Sequence, residues 1–298
     1  MSGPHIALVS ARGARKLDED LPPLRRALEA AGARVTIARW DDPKVEWSDF
    51  DLALLRSTWD YARRLPEFLQ WIEHAATRTR LLNPPEVVRW NTDKHYLGVL
   101  ERAGVPVVPS AFVEPGEDAG RALSALLAAH PDAQDFVVKP CIGAGSKDAQ
   151  RHARDARGEA LAHLNRLLDA NRSALMQPYL SSVDTYGETA LLFFSAEYSH
   201  AIRKGPLLKR GAAPAAGLFA TEAIAPREPS NAERELAQRA LAAIPFERPL
   251  LYARVDLIHD ETGSPRLLEL ELTEPSVFLD HAADSAERFA RAILARSR

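Results

Sequence analysis

The run Glu269-Leu270-Glu271-Leu272-Thr273-Glu274 sets carboxylates at alternate positions of an apolar stretch. Successive side chains of a strand point to opposite faces, so Glu269 and Glu271 share one face and Leu268, Leu270 and Leu272 the other. Two like charges so placed repel, and a divalent cation between them removes the penalty. Upstream, Tyr252-Ala253-Arg254-Val255-Asp256-Leu257 reads as a second strand, with a turn at Glu261–Pro265 between the two. A hairpin closed there brings Asp256 beside the glutamates. Three hard carboxylate donors suit Mg²⁺, which commonly shares its shell with phosphate oxygens. A Glu-Leu-Glu alone is more often a solvated strand face. The acid across the turn is what favours the metal.

Cations point the same way. Of 38 basic residues only seven are lysines, so the position of each invites a reason. Lys139 ends the strand Phe136–Lys139 and precedes Pro140 and a loop containing Gly143, Gly145 and Ser146. Backbone N–H groups of such a loop, with an ammonium at its mouth, can hold phosphates. It is neither a Gly-x-x-x-x-Gly-Lys-Ser/Thr loop nor a dinucleotide turn, because Asp148 stands where a third glycine would be. Taken alone, a plain turn is the commoner meaning. A further cluster, Arg56, Ser57, Thr58, Asp60 and Tyr61, follows the strand Leu52–Leu55 at its C-terminal end, where open α/β sheets bind ligands. A cation, hydroxyls and a ring suit an amino-acid substrate. Packing of Trp59 and Tyr61 on the next helix competes with that reading.

The elements that position these groups follow from periodicity. His5–Ser10, Arg34–Ala38 and Leu52–Leu55 read as strands, with a helix over Leu21–Ala31 whose apolar stripe is stopped by Gly32. Strand, helix, strand at this spacing predicts a parallel sheet. Pro66–Ala76 reads as helix and Leu81–Leu82 as a short strand before Asn83-Pro84-Pro85, the first boundary. Helices are expected from Asn91 to Gly104, over Ala119–Ala129, Glu159–Ala170 and Asn231–Ala243. Strands are expected at Phe136–Lys139, Ala174–Gln177, Ala190–Ser195, Glu197–Arg203, Tyr252–His259 and Arg266–Leu272. The fold class is α/β and α+β, with domains at 1–90, 91–177 and 178–298. Gly205–Gly217, carrying Lys209 and Arg210, is a lid over the phosphates or a surface loop.

Composition narrows the function by exclusion. The 298 residues carry a net charge of -3, which offers no general attraction to nucleic acid or anionic membrane. Cys141 is the one cysteine, so no internal disulfide and no multi-thiolate metal site forms. The apolar runs are too short to cross a bilayer. Met1–His5 lacks the basic start of an export signal, and a cytoplasmic location is expected. No histidine pair has zinc spacing, and no Gly-x-Ser-x-Gly elbow appears.

In order along the chain these pieces resemble the ATP-grasp superfamily of carboxylate–amine ligases. The motifs are Asp93-Lys94, Val138-Lys139-Pro140 with its loop, Met176-Gln177-Pro178-Tyr179-Leu180, Gly187-Glu188, Ile202-Arg203-Lys204, Arg254-Val255-Asp256 and Glu269-Leu270-Glu271. The resemblance implies the ATP-grasp fold, a parallel-sheet N-terminal domain followed by two α+β lobes sandwiching ATP. It assigns Lys94, Lys139, Gly143, Gly145, Ser146, Arg203 and Lys204 to the phosphates. Gln177, Pro178, Tyr179 and Leu180 go to adenine and Glu188 to ribose. Asp256, Glu269 and Glu271 hold Mg²⁺, and Arg254 is the catalytic cation; a plain ion pair between Arg254 and Asp256 is its alternative. Glu271 replaces the family's usual Asn, and Pro178 a common Glu. Arg56-Ser57-Thr58-Trp59-Asp60-Tyr61 and Ser199-His200-Ala201 resemble a branch that closes O-ureido-D-serine to D-cycloserine, an antibiotic. Glu274 and Ser276 join the substrate candidates by position. The implied activity is ATP-dependent activation of a carboxylate as acyl phosphate, then attack by a ureido nitrogen of the same molecule. An intermolecular amino-acid or peptide ligase is the alternative, and a non-catalytic ATP-binding protein the third. The expected partner is a small amino-acid-like molecule, with a homodimer left open.

Overall fold

The first strand shows why the N-terminal third forms a parallel sheet. In β1 (His5–Ser10) every residue after His5 is buried, and in β3 (Leu52–Ser57) all six are. A strand covered on both faces reads as a continuous apolar run, the signature of a parallel sheet with helices on its faces. The computed structural model describes residues 3–208, 210, 223–247 and 250–297. With β2 (Arg34–Arg39) and β4 (Arg80–Leu82), the order is β2-β1-β3-β4, all parallel. Helix α1 (Leu21–Ala30) joins β1 to β2, and α2 (Leu65–Ala76) joins β3 to β4. β3 runs two residues further than expected, which carries Arg56 and Ser57 into the sheet.

The double proline starts a helix, α3 (Pro85–Asn91), because proline's fixed φ suits the first helical turn. α4 (Tyr96–Arg102) then begins later than the sequence suggests. Asp93 Oδ1 accepts the His95 N–H at 3.1 Å, which stabilises a turn and leaves Lys94 on that turn rather than on a helix. A second sheet follows, built from β5 (Ala111–Val113), β6 (Asp135–Pro140), β7 (Gln150–Ala153) and β8 (Ala174–Pro178) in the order β5-β8-β6-β7. It is antiparallel throughout. α5 (Ala119–Ala129) and α6 (Arg157–Asp169) pack on it through Leu123, Leu164 and Leu167.

The third sheet contains β9 (Glu188–Phe194), β10 (Glu197–Lys204), β11 (Ile224–Arg227), β12 (Tyr252–His259) and β13 (Pro265–Glu271), ordered β11-β10-β9-β12-β13. α7 (Asn231–Ala242) covers it, opened by a Ser230–Glu233 capping box. The predicted hairpin between β12 and β13 forms, with Arg254 opposite Glu271 and Asp256 opposite Glu269. The next pair is Leu257 with Leu267, so Leu268 is a bulge residue. Leu267 rather than Leu268 therefore joins the core with Leu270 and Leu272. The final helix, α8 (Ser285–Leu294), has no counterpart in the sequence reading, which also omits β5, β7 and β11. Its Phe289 stacks on Phe194 of β9 at 4.3 Å between centroids. Leu24 and Leu28 of α1 share that core, so the chain's end returns to its first sheet.

His152 on β7 and His163 on α6 meet in the second core, Nε2 to Nδ1 at 3.1 Å. Burial, helped by Arg166 and His152, lowers His163 from 6.5 to about 4. Between these values the unfolded chain binds a proton that the folded chain refuses, so stability falls as pH drops through 6.5 and the loss ends near 4. We expect urea unfolding to show a loss on the order of 1 kcal/mol from this group between pH 7.5 and 5. His163→Gln should flatten the dependence; an unchanged slope would contradict the assignment.

Candidate active site

The three sheets leave one large cavity between them, about 570 Å³ in volume. Its floor is the β12–β13 hairpin. Asp256, Glu269 and Glu271 all line it, as do Lys94, Lys139, Lys204 and Arg254. Charges alternate in sign across the floor. Lys139 Nζ donates to Glu269 at 2.7 Å, and Lys94 Nζ lies 3.9 Å from the same carboxylate. Lys204 donates to Asp256 at 2.7 Å and also pairs with Glu188. Arg254 holds Asp256 through Nε (2.8 Å) and Nη2 (2.9 Å) and reaches Glu271 with Nη2. The ion pair offered as the alternative for Arg254 is therefore present, within a cavity-lining network.

The electrostatics follow from this interleaving. Burial pushes the Glu269 carboxyl up, but Lys139 and Lys94 outweigh it and hold it well below the ordinary range. Asp256 is likewise lowered: burial opposes, and Arg254 with Lys204 prevails. Glu271 goes the other way. Burial raises it, Arg254 resists, and Asp256 and Glu269 add repulsion. Three hard-oxygen donors on paired strands, one still short of positive charge, fit a divalent cation of the Mg²⁺ type.

The Gly143–Ser146 loop lies alongside. Gly145 and Ser146 adopt positive φ (64° and 57°), a turn of backbone that lets successive N–H groups converge on an anion. Gly143, Gly145 and Ser146 line the cavity, and Lys94 Nζ reaches the Gly143 carbonyl at 3.5 Å. At the far end Gln177, Pro178, Tyr179 and Leu180 line a slot shared with Val108 and Ile258, an apolar patch absent from the sequence reading. Those residues come from separate segments, so no periodic signal marks them. Tyr179 N–H already donates to Asp135 O at 3.0 Å. Its ring carries the Arg151 guanidinium at 3.5 Å, and its hydroxyl binds Asp184 at 2.6 Å.

Other expected residues lie elsewhere. Arg203, next to Lys204, is on the opposite face of β10 and outside the cavity lining. It donates to the carbonyls of Tyr186 (2.7 Å) and Thr185 (3.0 Å). At Gly187 (φ 82°) an added Cβ would come within 2.6 Å of Lys204 O and 2.8 Å of Arg203 Nε, so this corner requires glycine. From the Arg56–Tyr61 cluster, Trp59 and Tyr61 reach the cavity; Arg56, Ser57, Thr58 and Asp60 do not. Arg56, Ser57 and Thr58 are fully buried, because the strand continues through Arg56 and Ser57 and Thr58 follows directly at its end. Ser57 Oγ meets Ser10 Oγ at 2.8 Å, and Asp60 accepts from Trp40 Nε1 and Arg64. Lys209 lies outside the described residues, with most of Gly205–Gly217; Arg210 pairs with Asp135 at 2.7 Å.

Arg56 has a positioning role instead. Its Nη2 donates to Pro275 O at 3.0 Å and lies 3.4 Å from Asp20. Asp20 accepts the N–H groups of Val277 (2.6 Å), Phe278 (3.2 Å) and Leu279 (2.7 Å). His200, kept neutral mainly by burial, bonds Val277 O through Nε2 at 2.9 Å. Trp59 Nε1 donates to Glu274 O and Arg254 Nη1 to Ser276 O. The segment bearing Glu274 and Ser276, both cavity residues, is thus clamped by side chains from the first and third sheets. Asp20 gave no sequence signal, since an acid before Leu-Pro-Pro reads as an ordinary helix start.

One more cluster adjoins Lys94. Among the described residues, ligand atoms of Asp93, His95 and Cys141 lie within 4.8 Å of one another. Both ring nitrogens of His95 are engaged, by Asp93 (2.6 Å) and Glu114 (2.8 Å). Burial works against its charge, but those carboxylates raise its pKa. Burial, Asp93 and Glu114 push the Cys141 thiol up to about 12. Carboxylates that favour the charged imidazole, and a thiol held protonated, make this a hydrogen-bonded polar network, and it accounts for Cys141 as an inert packed residue.

A lysine-lined loop, a carboxylate hairpin and an apolar slot, enclosed between two antiparallel sheets, define the chain as an ATP-grasp ligase by fold and site. The comparisons agree. D-alanine–D-alanine ligase from Bacillus anthracis, complexed with ATP, matches with a TM-score of 0.71 at 15% identity, over 99% of this chain and 97% of that one. The ATP-grasp ligase PsnB matches at 0.65 and 19% identity, over 99% of each. The crystal structure of D-cycloserine synthetase DcsG matches with a TM-score of 0.91 at 40% identity, over 99% of this chain and all of that one. The cycloserine biosynthesis protein DcsG of Streptomyces lavendulae is 42% identical over 296 residues, 98% of each chain. The model of the D-cycloserine synthetase DcsG N-terminal domain covers residues 6–83. The chain belongs to the DcsG family of ATP-grasp ligases.

The clamp makes a stability prediction. Asp20→Ala strands the buried Arg56 charge and leaves three N–H groups without acceptor, a loss of about 2–4 kcal/mol. A thermal midpoint lower by roughly 5–10 °C is expected. An unchanged midpoint would contradict the role given to Asp20.

Proposed function

We propose that the chain is a cyclo-ligase that converts O-ureido-D-serine to D-cycloserine at the expense of ATP. The observation that carries this is one cavity whose lining joins two sets of residues. The cations Lys94, Lys139, Lys204 and Arg254 form one, and Trp59, Tyr61, Glu274 and Ser276 form the clamped side, taken as the substrate chamber. Kinship with DcsG supplies the substrate class.

A substrate carboxylate oxygen attacks the γ-phosphorus, ADP departs, and an acyl phosphate forms. The ureido nitrogen then attacks that carbonyl and phosphate leaves, which closes the ring. The carbamoyl group is lost in a further step. Lys94, Lys139 and Lys204 neutralise the triphosphate, with backbone N–H groups of Gly143–Ser146 around it. The Gln177–Leu180 segment takes adenine and Glu188 ribose. Asp256, Glu269 and Glu271 would hold Mg²⁺, whose charge screens the β- and γ-phosphate oxygens. Arg254 cancels charge on the transferred phosphoryl group and the acyl phosphate. Tyr61, Glu274 and Ser276 face the amino-acid portion. Domains divide at 1–90, 91–177 and 178–298, with α8 returning to the first. Among the described residues no helix is long and apolar enough to cross a membrane, and the cytoplasm, where ATP is plentiful, is the proposed location.

ADP release with O-ureido-D-serine as the sole amino acid is the expected result. An absolute need for a second amine would instead identify an intermolecular ligase. Asp256→Asn and Glu269→Gln should each lower kcat by about 10²-fold or more, as removal of transition-state charge stabilisation does. Activity unaffected by either would remove the carboxylates from the mechanism.

A further inference from the structure

Ring closure, as read above, needs a proton acceptor. The attacking nitrogen lies between an oxygen and a carbonyl, a poor nucleophile until its hydrogen is drawn away. At the phosphate end the side chains are cations or carboxylates already bound to them: Asp256 to Arg254 and Lys204, Glu269 to Lys139, Glu271 to Arg254. The rest of the lining includes Asp20, occupied by three N–H groups, and Glu19, Asp280 and His281, none of which has a buried side-chain atom left without a partner among the described residues.

Glu274 differs from all of these. It is 8% exposed, lines the chamber, and its Oε2 is buried with no hydrogen-bond partner among the described residues. Its main chain is fixed by Trp59, and the neighbouring Pro275 carbonyl by Arg56. The buried Tyr61 side chain interacts electrostatically with its carboxyl group. A buried carboxyl with a spare lone pair is costly unless something completes it.

Resting on the cyclo-ligase reading, we propose that Glu274 is the general base of ring closure. Its carboxylate takes the hydrogen from the ureido nitrogen while the nitrogen's electron pair forms the C–N bond. The acyl C–O bond breaks, phosphate leaves with that electron pair, and the products are a protonated Glu274, phosphate and the N-carbamoyl ring. Burial and repulsion from Glu271 raise Glu274 to about 8, against the Tyr61 hydroxyl, Lys94 and Arg254. A base with a pKa close to working pH combines availability with driving force.

The test separates phosphorylation from cyclisation. Hydroxylamine traps acyl phosphate as hydroxamate, and ring product is measured in parallel. Glu274→Gln should lower ring formation by about 10²–10³-fold, with substrate-dependent ADP release and hydroxamate retained. Wild-type cyclisation should rise with pH along a limb near 8 that the variant lacks, and Tyr61→Phe should move that limb upward. Ring formation by Glu274→Gln at the wild-type rate, or a parallel loss of hydroxamate, would overturn the assignment. Wild-type enzyme that forms no ring product and releases no ADP with O-ureido-D-serine would overturn the cyclo-ligase reading itself, a separate result.

Discussion

Buried charge has to be paired, and the floor of the cavity is organised around that requirement. Four strands and the Lys94 turn bring Lys94, Lys139, Lys204 and Arg254 against Asp256, Glu269 and Glu271, with Glu188 at the edge. Removal of any one member leaves an uncompensated charge among buried groups, which is why such networks tolerate little change. The arrangement is suited to nucleotide chemistry because each ion has a second use. On the proposed reading, lysines released from carboxylates would meet phosphate oxygens, and the carboxylates would hold a divalent cation. The same low dielectric that makes unpaired charge expensive strengthens each contact with the transferred phosphoryl group.

A second constraint keeps the substrate end in place. Among the described residues, the segment Glu274–Leu279 has no backbone–backbone hydrogen bond before Phe278 O, which accepts from His281, and side chains supply what a sheet would. Asp20 accepts three of its N–H groups, Arg56, Trp59 and Arg254 donate to its carbonyls, and His200 holds Val277. Helix α8 follows and buries Phe289 against β9 and the first sheet's core. The C-terminal residues therefore tie the nucleotide-facing hairpin to the N-terminal sheet. Positioning within a fraction of an ångström is what an intramolecular ring closure demands.

Much of this is legible in the sequence because period-two alternation and hairpin closure are local. Asp256, Glu269 and Glu271 fall on one face for that reason, and scarce lysines mark the phosphate end. The misassigned residues depend on long-range contacts. Arg56 has the look of a ligand group at a strand end, yet its partners are Asp20, 36 residues away, and Pro275, 219 away. Arg203 was coupled to Lys204 by adjacency, which on a strand places the two on opposite faces. The apolar slot draws Val108, Leu180 and Ile258 from three segments, so no window of sequence contains it. α8 had a local signal: Phe289, Ala290 and Ile293 are helically spaced behind Asp284-Ser285-Ala286-Glu287.

The central claim is that phosphate passes through the substrate carboxylate. O-ureido-D-serine labelled with ¹⁸O in its carboxylate tests it directly, with the released phosphate examined by mass spectrometry. One labelled oxygen should move from carboxylate to phosphate with each ring formed. Unlabelled phosphate accompanying normal ring formation would contradict the account.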